Sequence, residues 1–234
     1  MHRHTLRFSP SLTSADKGVV IMALTMQNIE AMINRIRDTM VANQDYLIEL
    51  DQALGDGDLG LSMTKGFTEA AKAVHESESS DIGRVLVQAG MVFNNAAPST
   101  MGTLMATALM RAGKSVSGKE SVDLADLVDM GEAAVKGIMD RGKAKVGEKT
   151  ILDALVPAVE ALKAGAQVGE SYGPAFEKAY AASLAGLEAT KNMMPEHGRA
   201  RYYREKAVGK QDPGATAAML VIKALKEYFA SLDG

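Results

Sequence analysis

Apolar residues recur along most of this chain at spacings of three and four, the period of a helix with one buried face. The clearest run is Ile29, Met32, Ile33, Ile36 and Met40, which share one stripe, with Thr25 placed before it as an N-cap. A second apolar stretch runs from after Asp58 to about Val74, a third from near Asp81 to Phe93, and a fourth holds Leu104, Ala108 and Leu109. A fifth opens at Ser121 and carries Leu124, Leu127, Val128 and Val135; a sixth spans Thr150 to Leu162. A seventh, after Pro174, carries Phe176, Tyr180, Leu184 and Leu187. The last opens at Asp212-Pro213 and carries Met219, Ile222, Leu225 and Phe229. Asp there caps free backbone N–H groups, and Pro is tolerated at the first helical position. Pro157 falls inside the sixth stretch, where a kink is expected. No segment alternates convincingly with period two, so no sheet is expected. The pattern predicts about eight helices in one all-α domain over residues 25–234, behind a flexible N-terminal extension over residues 1–24.

Composition narrows the picture. The 234 residues are 47% hydrophobic and 24% charged, which fits a globular protein and excludes a disordered one. Small residues allow close helix packing, and 15 Met fill irregular gaps. With no Cys, a disulfide framework, a thiolate zinc site and a cysteine nucleophile are all excluded, and a reducing cytoplasm is the simplest compartment. Aromatics at 5% argue against a β-sandwich. The net charge of -3 does not suit a nucleic-acid partner. The longest apolar run, Gly18 to Leu24, is too short to span a membrane, and the polar start with His2, Arg3, His4, Arg7 and Lys17 lacks the apolar centre of a secretory signal.

No low-complexity linker divides the chain. Gly and polar residues gather instead at four joints between helices, where candidate chemistry collects. The first is Asp51, then Gly55-Asp56-Gly57-Asp58-x-Gly60. Three carboxylates within eight residues repel unless a cation neutralises them, and their oxygens suit a hard ion such as Mg²⁺. A plain turn with Asp58 as N-cap explains the same residues. Calcium is disfavoured, because the EF-hand spacing and its terminal Glu are missing. The second joint, Pro98-Ser99-Thr100-Met101-Gly102-Thr103, reads as an anion site at a helix N-terminus or as a simple cap, and is not a Walker loop. The third runs from Arg141-Gly142-Lys143 to Gly147-Glu148-Lys149-Thr150 and reads as a solvated basic loop or a phosphate contact. The fourth, Gly198-Arg199-Ala200 and Gly209 to Thr216, reads as a turn and cap or as a nucleotide contact. His2, His4, His75 and His197 match no nucleophile elbow or zinc motif and read as surface residues.

Together the four joints resemble the DhaL family, the nucleotide-binding subunits of bacterial dihydroxyacetone kinases, from about Met26 to Leu232. The segments that carry the resemblance are Leu50-Asp51…Gly55-Asp56-Gly57-Asp58-Leu59-Gly60, Arg141-Gly142-Lys143-Ala144, Gly147-Glu148-Lys149-Thr150 and Gln211-Asp212-Pro213-Gly214-Ala215-Thr216. The resemblance implies an eight-helix, antiparallel, up-and-down barrel with a nucleotide site in the loops at one end. It implies that Asp51, Asp56 and Asp58 hold two Mg²⁺ ions bridging the phosphates of ADP or ATP. Leu59, Gly60, Leu61 and Ser62 would line the phosphate side, with Ser99, Thr100, Met101 and Gly102. Gly142, Thr150, Ile151, Arg199, Asp212, Pro213 and Gly214 would line the adenosine side. Two departures touch the phosphate pocket: Leu59 stands where the family often has His, and Ser99-Thr100-Met101-Gly102 stands where many have Gly-x-Ser-Gly.

By the same resemblance, phosphate would pass to dihydroxyacetone or a similar small keto-sugar held by a DhaK-type partner. ADP would serve as a coenzyme recharged by a DhaM-type phosphohistidine protein, or ATP would exchange freely. The alternatives are a different triose or tetrose acceptor, and a non-catalytic regulatory adaptor. A homodimer is left open.

Overall fold

The computed structural model describes residues 23–232; most of the extension expected over residues 1–24 lies outside them. Eight long helices form the frame: α1 (Met26–Ala42), α3 (Leu59–His75), α4 (Ile82–Ala96), α5 (Thr100–Ser115), α6 (Leu124–Gly142), α7 (Leu152–Gln167), α8 (Tyr172–Ala189) and α9 (Pro213–Ala230). Each packs on the next in chain order, and α9 returns to α1, so the helices close into a ring. Most connections between them are short, so neighbours run antiparallel. The expected all-α, up-and-down architecture is what the chain adopts.

Two elements were not foreseen. Helix α2 (Gln44–Gln52) is short and buries only Leu47, so it shows no apolar stripe to read. It lies against α3 and α9. The other is a minimal antiparallel pair, Leu24–Thr25 with Ser121–Val122, which ties the start of α1 to the lead into α6. Two residues a strand are too few for a period-two pattern. Leu24, the last residue of the stretch expected to be a flexible extension, is fully buried.

Of the caps expected, Asp212 caps its helix as read, whereas the Thr25 and Asp58 side chains make no cap hydrogen bond at theirs. The Thr25 backbone N–H donates to Asn28 Oδ1 at 2.8 Å. Asp81 accepts from the Arg84 N–H at 3.0 Å and Asp212 from the Ala215 N–H at 2.7 Å. Helix α7 continues through Pro157. Proline has no N–H to offer the carbonyl four residues back, that of Asp153. Helix α8 approaches closely there, for a Cβ on Gly186 would stand 2.0 Å from the Asp153 oxygen. The sparse aromatics concentrate at two points of the core. Phe67 and Phe93 meet edge to face at 5.0 Å, and Phe229 stacks on Phe176 at 4.5 Å and on Tyr172 at 4.9 Å. Among the described residues no helix is long and apolar enough to cross a membrane.

The alternating ring puts four connections at one end: α1 to α3, α4 to α5, α6 to α7 and α8 to α9. These are the four polar joints of the sequence. Chain reversal alone therefore gathers residues as far apart in sequence as Tyr46 and Gln211, 165 positions.

Candidate functional site

The first joint folds around its own carboxylates. Asp51 sits in the last turn of α2, and its carbonyl accepts from the Leu54 N–H at 3.1 Å and the Gly55 N–H at 2.5 Å. Gly55 leaves room for the Asp51 carboxylate, since a Cβ would lie 2.3 Å from Asp51 Oδ1 and displace it. Gly57 takes φ +77°, a left-handed value open to glycine. The turn brings one oxygen each from Asp51, Asp56 and Asp58 within 4.8 Å of one another. Burial and the charges of Asp56 and Asp51 push the Asp58 carboxyl above its usual range, against a lowering pull from Arg199. The cluster's ion pair among the described residues is Asp56 Oδ2 with the Arg199 guanidinium, at 2.7 Å. Three carboxylates against one guanidinium leave negative charge uncompensated. That fits a divalent cation, for which Mg²⁺ takes one or two carboxylates and completes its shell with water and phosphate.

The residues expected on the phosphate side divide into two kinds. Leu59 and Gly60 are buried. The Leu59 side chain enters the core and only its N–H faces the site, donating to Asp51 Oδ2 at 3.3 Å. The departure from His at this position therefore falls on a packing position. Leu61 is 56% exposed and Ser62 half-buried, so both border the open side. The Ser62 hydroxyl donates to Ser99 Oγ at 2.9 Å, and Ser99 Oγ accepts the Gly102 N–H at 3.0 Å. This links the starts of α3 and α5. Gly102 admits the Ala97 carbonyl, which a Cβ would approach to 2.0 Å. Thr100 is exposed and Met101 half-buried.

On the opposite side Met101, Ile151, Asp212 and Gly214 come together. A Cβ on Gly214 would lie 2.7 Å from Met101 Cε, 3.0 Å from Asp212 Oδ2 and 3.3 Å from the Ile151 nitrogen. Pro213 is buried at the first position of α9. Gly142 closes α6 over Leu104, whose Cδ2 a Cβ would meet at 3.4 Å. The Thr150 N–H donates to Asp153 Oδ2 at 2.6 Å, and Thr150 Oγ1 accepts the Leu152 N–H at 3.2 Å. Arg199, expected on the adenosine side, pairs its guanidinium with Asp56 of the carboxylate cluster.

The third joint departs from the solvated loop expected. Lys149 is 2% exposed and takes φ +58°. Its ammonium donates to the carbonyls of Thr190 and Lys210, pinning the α6–α7 loop to both ends of the α8–α9 connection. Buried Asp153 accepts the Gly147 N–H at 2.5 Å as well as that of Thr150. The Asp212 N–H donates to Thr190 Oγ1 at 3.0 Å. His197 is not a plain surface residue either. It is half-buried, with Nε2 2.7 Å from Glu148 Oε2, while His75 is exposed beside Glu30. The Lys145 N–H and then His197 hold the Glu148 carboxyl below its usual range. A lysine amid other basic residues carries no sequence mark of burial, so Lys149 could not be singled out beforehand.

Burial pushes the Asp212 carboxyl up to about 7, against the opposing pull of the Ala215 N–H and Lys149. A carboxyl raised on folding binds its proton more tightly in the native state. Its cost to stability is full above about 7, shrinks as pH falls, and is gone below 3.8. Asp212→Asn keeps an oxygen for the cap and cannot titrate. Urea denaturation from pH 8 to pH 4 should show the wild type gaining on the variant as pH falls, and a pH-independent difference would refute the assignment.

Known proteins resemble this chain over most of its length. The DAK2 domain matches residues 53–227. The ADP-binding subunit DhaL of the PEP-dependent dihydroxyacetone kinase of Escherichia coli K12 is 32% identical over 204 residues, covering 87% of this chain and 97% of that protein. The ADP-binding subunit DhaL of PEP-dependent dihydroxyacetone kinase 1 of Listeria innocua is 34% identical, covering 82% of this chain and 91% of that protein. Among solved structures, the dihydroxyacetone kinase of C. freundii in complex with AMP-PNP and Mg²⁺ superposes with a TM-score of 0.67 at 25% identity, over 97% of this chain and 38% of that one. Fold and acidic loop end thus define a DAK2-type helical domain. The chain belongs to the DhaL family.

Proposed function

We propose that this protein is the ADP-binding subunit of a dihydroxyacetone kinase, which binds a magnesium nucleotide at the loop end of the ring and passes its phosphate to a small keto-sugar held by a DhaK-type partner. The observation that carries this reading is the convergence of Asp51, Asp56 and Asp58 within 4.8 Å beside the start of α3 and the Ser99-capped start of α5. Bound there, Mg²⁺, taken as two ions, would neutralise charge spread over the transferring phosphoryl group. Asp51, held by the Leu59 N–H, would fix one ligand, and Asp56 and Asp58 the others. Ser62, Ser99 and the N–H groups at the start of α5 would hold phosphate oxygens. Met101, Ile151 and the Asp212-Pro213-Gly214 turn would enclose the nucleoside. In this reading the acceptor's own chemistry belongs to the partner. The phosphoryl donor is either free ATP or a DhaM-type phosphohistidine protein acting on resident ADP, and the protein works in the cytoplasm.

ADP should raise the melting temperature only when Mg²⁺ is present, by about 2.7 kcal/mol of added stability at a hundred times Kd. Equal stabilisation in EDTA would contradict the metal-bridged site. Phosphate transfer to dihydroxyacetone with a DhaK-type partner tests the acceptor. Transfer to a keto-tetrose alone would move the assignment to that sugar, and absence of any Mg-nucleotide binding in calorimetry would favour a non-catalytic adaptor.

A further inference from the structure

On the wall of the ring, from mid-helix up toward the loop end, a cleft of about 360 Å³ lies between α5 and α6. Thr107, Met110, Arg111 and Lys114 line one side and recur at helical spacing, so they form a single stripe of α5. Gly137, Asp140 and Arg141 line the other. Gly137 keeps the floor open, because a Cβ there would come within 2.7 Å of Arg111 Cγ and 3.3 Å of Thr107 Cγ2.

The charges in the cleft are unbalanced. Of the 23 lysines and arginines of the described residues ten sit in ion pairs, and Arg111, Lys114 and Arg141 are three of the thirteen that do not; these three share one cleft. The one acid in the lining, Asp140, lies 3.6 Å from Lys136 on its own helix. The Thr107 hydroxyl donates to the Thr103 carbonyl at 2.7 Å, so the hydrogen-bond donors left to a ligand are the three cations. A protein of net charge -3 thus gathers three unpaired cations around one small hollow.

We propose that this cleft binds a small phosphate-bearing molecule through Arg111, Lys114 and Arg141. Guanidinium groups match phosphate oxygens with two parallel hydrogen bonds, and lysine adds a point charge. The volume lies near the low end of small-molecule sites, roughly 300–1,000 Å³, and suits a metabolite better than the face of a protein. Met110 offers apolar contact to the carbon part of such a ligand. Its lining shares no residue with the carboxylate cluster, and its upper edge, Arg141, directly precedes Gly142 at the end of α6.

The test is titration of the ¹⁵N-labelled full chain with sodium phosphate at constant ionic strength, in EDTA so that no metal–phosphate forms at the aspartates. Saturable shifts centred on Gly137, Arg111 and Arg141 are expected. Arg111→Gln and Arg141→Gln should each weaken binding about tenfold, the loss expected for one charge-assisted hydrogen-bonding partner. Both side chains are exposed, so the melting temperatures should stay unchanged, which separates lost binding from lost folding. Non-saturating shifts spread over surface lysines, shifts centred on the aspartate loop, or tighter binding of a poly-glutamate peptide than of phosphate would each overturn the proposal.

Discussion

Asp56→Asn should lower phosphoryl transfer by at least about a hundredfold while leaving the fold intact, because it removes charge that stabilises the transferring group. Asp56 is exposed and makes its ion pair with the still more exposed Arg199. Losing a surface pair changes stability by about 1 kcal/mol or less. The variant should therefore melt close to the wild type, and the Mg²⁺-dependent stabilisation by ADP should shrink. Transfer measured with the partner subunit, beside a melting curve, decides the matter. Full activity would remove Asp56 from the metal site, and a collapsed melting temperature would make its role structural. The neighbouring carboxylates sharpen the expectation. Asp58 already resists ionisation through burial and repulsion, so the cluster favours a bound cation that relieves both.

Lys149→Met should have the larger effect on stability. The side chain is buried, its ammonium serves two carbonyls from different parts of the α8–α9 connection, and Asp212 and Asp153 are its nearest charges. Burial holds the ammonium below its usual range, which shows how little solvent supports it. Removing one partner from a buried charge network typically costs about 3–5 kcal/mol, since the other charges remain uncompensated. Urea denaturation should show a loss of that size at neutral pH. The loss should shrink toward pH 5, where a protonated Asp212 no longer needs a counter-charge. A loss under about 1 kcal/mol, within the range of surface substitutions, would mean the lysine is a bystander. Nucleotide affinity should fall as well, because the anchored segments lead into the Asp212-Pro213-Gly214 turn.

These two residues show where a linear reading succeeds and where it stops. Asp56 belongs to a local cluster in which two glycines and three carboxylates lie within eight positions, and its chemistry can be read without a fold. Lys149 sits among Lys143, Lys145 and Arg141, and nothing in that spacing distinguishes a buried amine from solvated ones. Its burial depends on Thr190 and Lys210, which lie 41 and 61 residues away. Leu59 carries the same lesson in reverse. As a departure from a family pattern it suggested a changed phosphate pocket, yet its side chain packs in the core and only its N–H reaches Asp51. Helix α2 escaped notice because one buried residue makes no stripe, although that helix places Asp51.

The order of hydrophobic and polar positions by itself determined the eight long helices, the Ser99 and Asp212 caps and the all-α class. Helical periodicity, N-capping and proline placement are local effects, written within a few residues of where they act. It also determined that polar joints recur between alternate helices. Only the tertiary structure decided that those joints share one end, that Arg199 reaches Asp56, that Lys149 is a buried fastener, and that Arg111 and Arg141 flank one hollow. Such contacts join residues tens to more than a hundred positions apart. Ring closure sets them, and no local pattern of side chains encodes it.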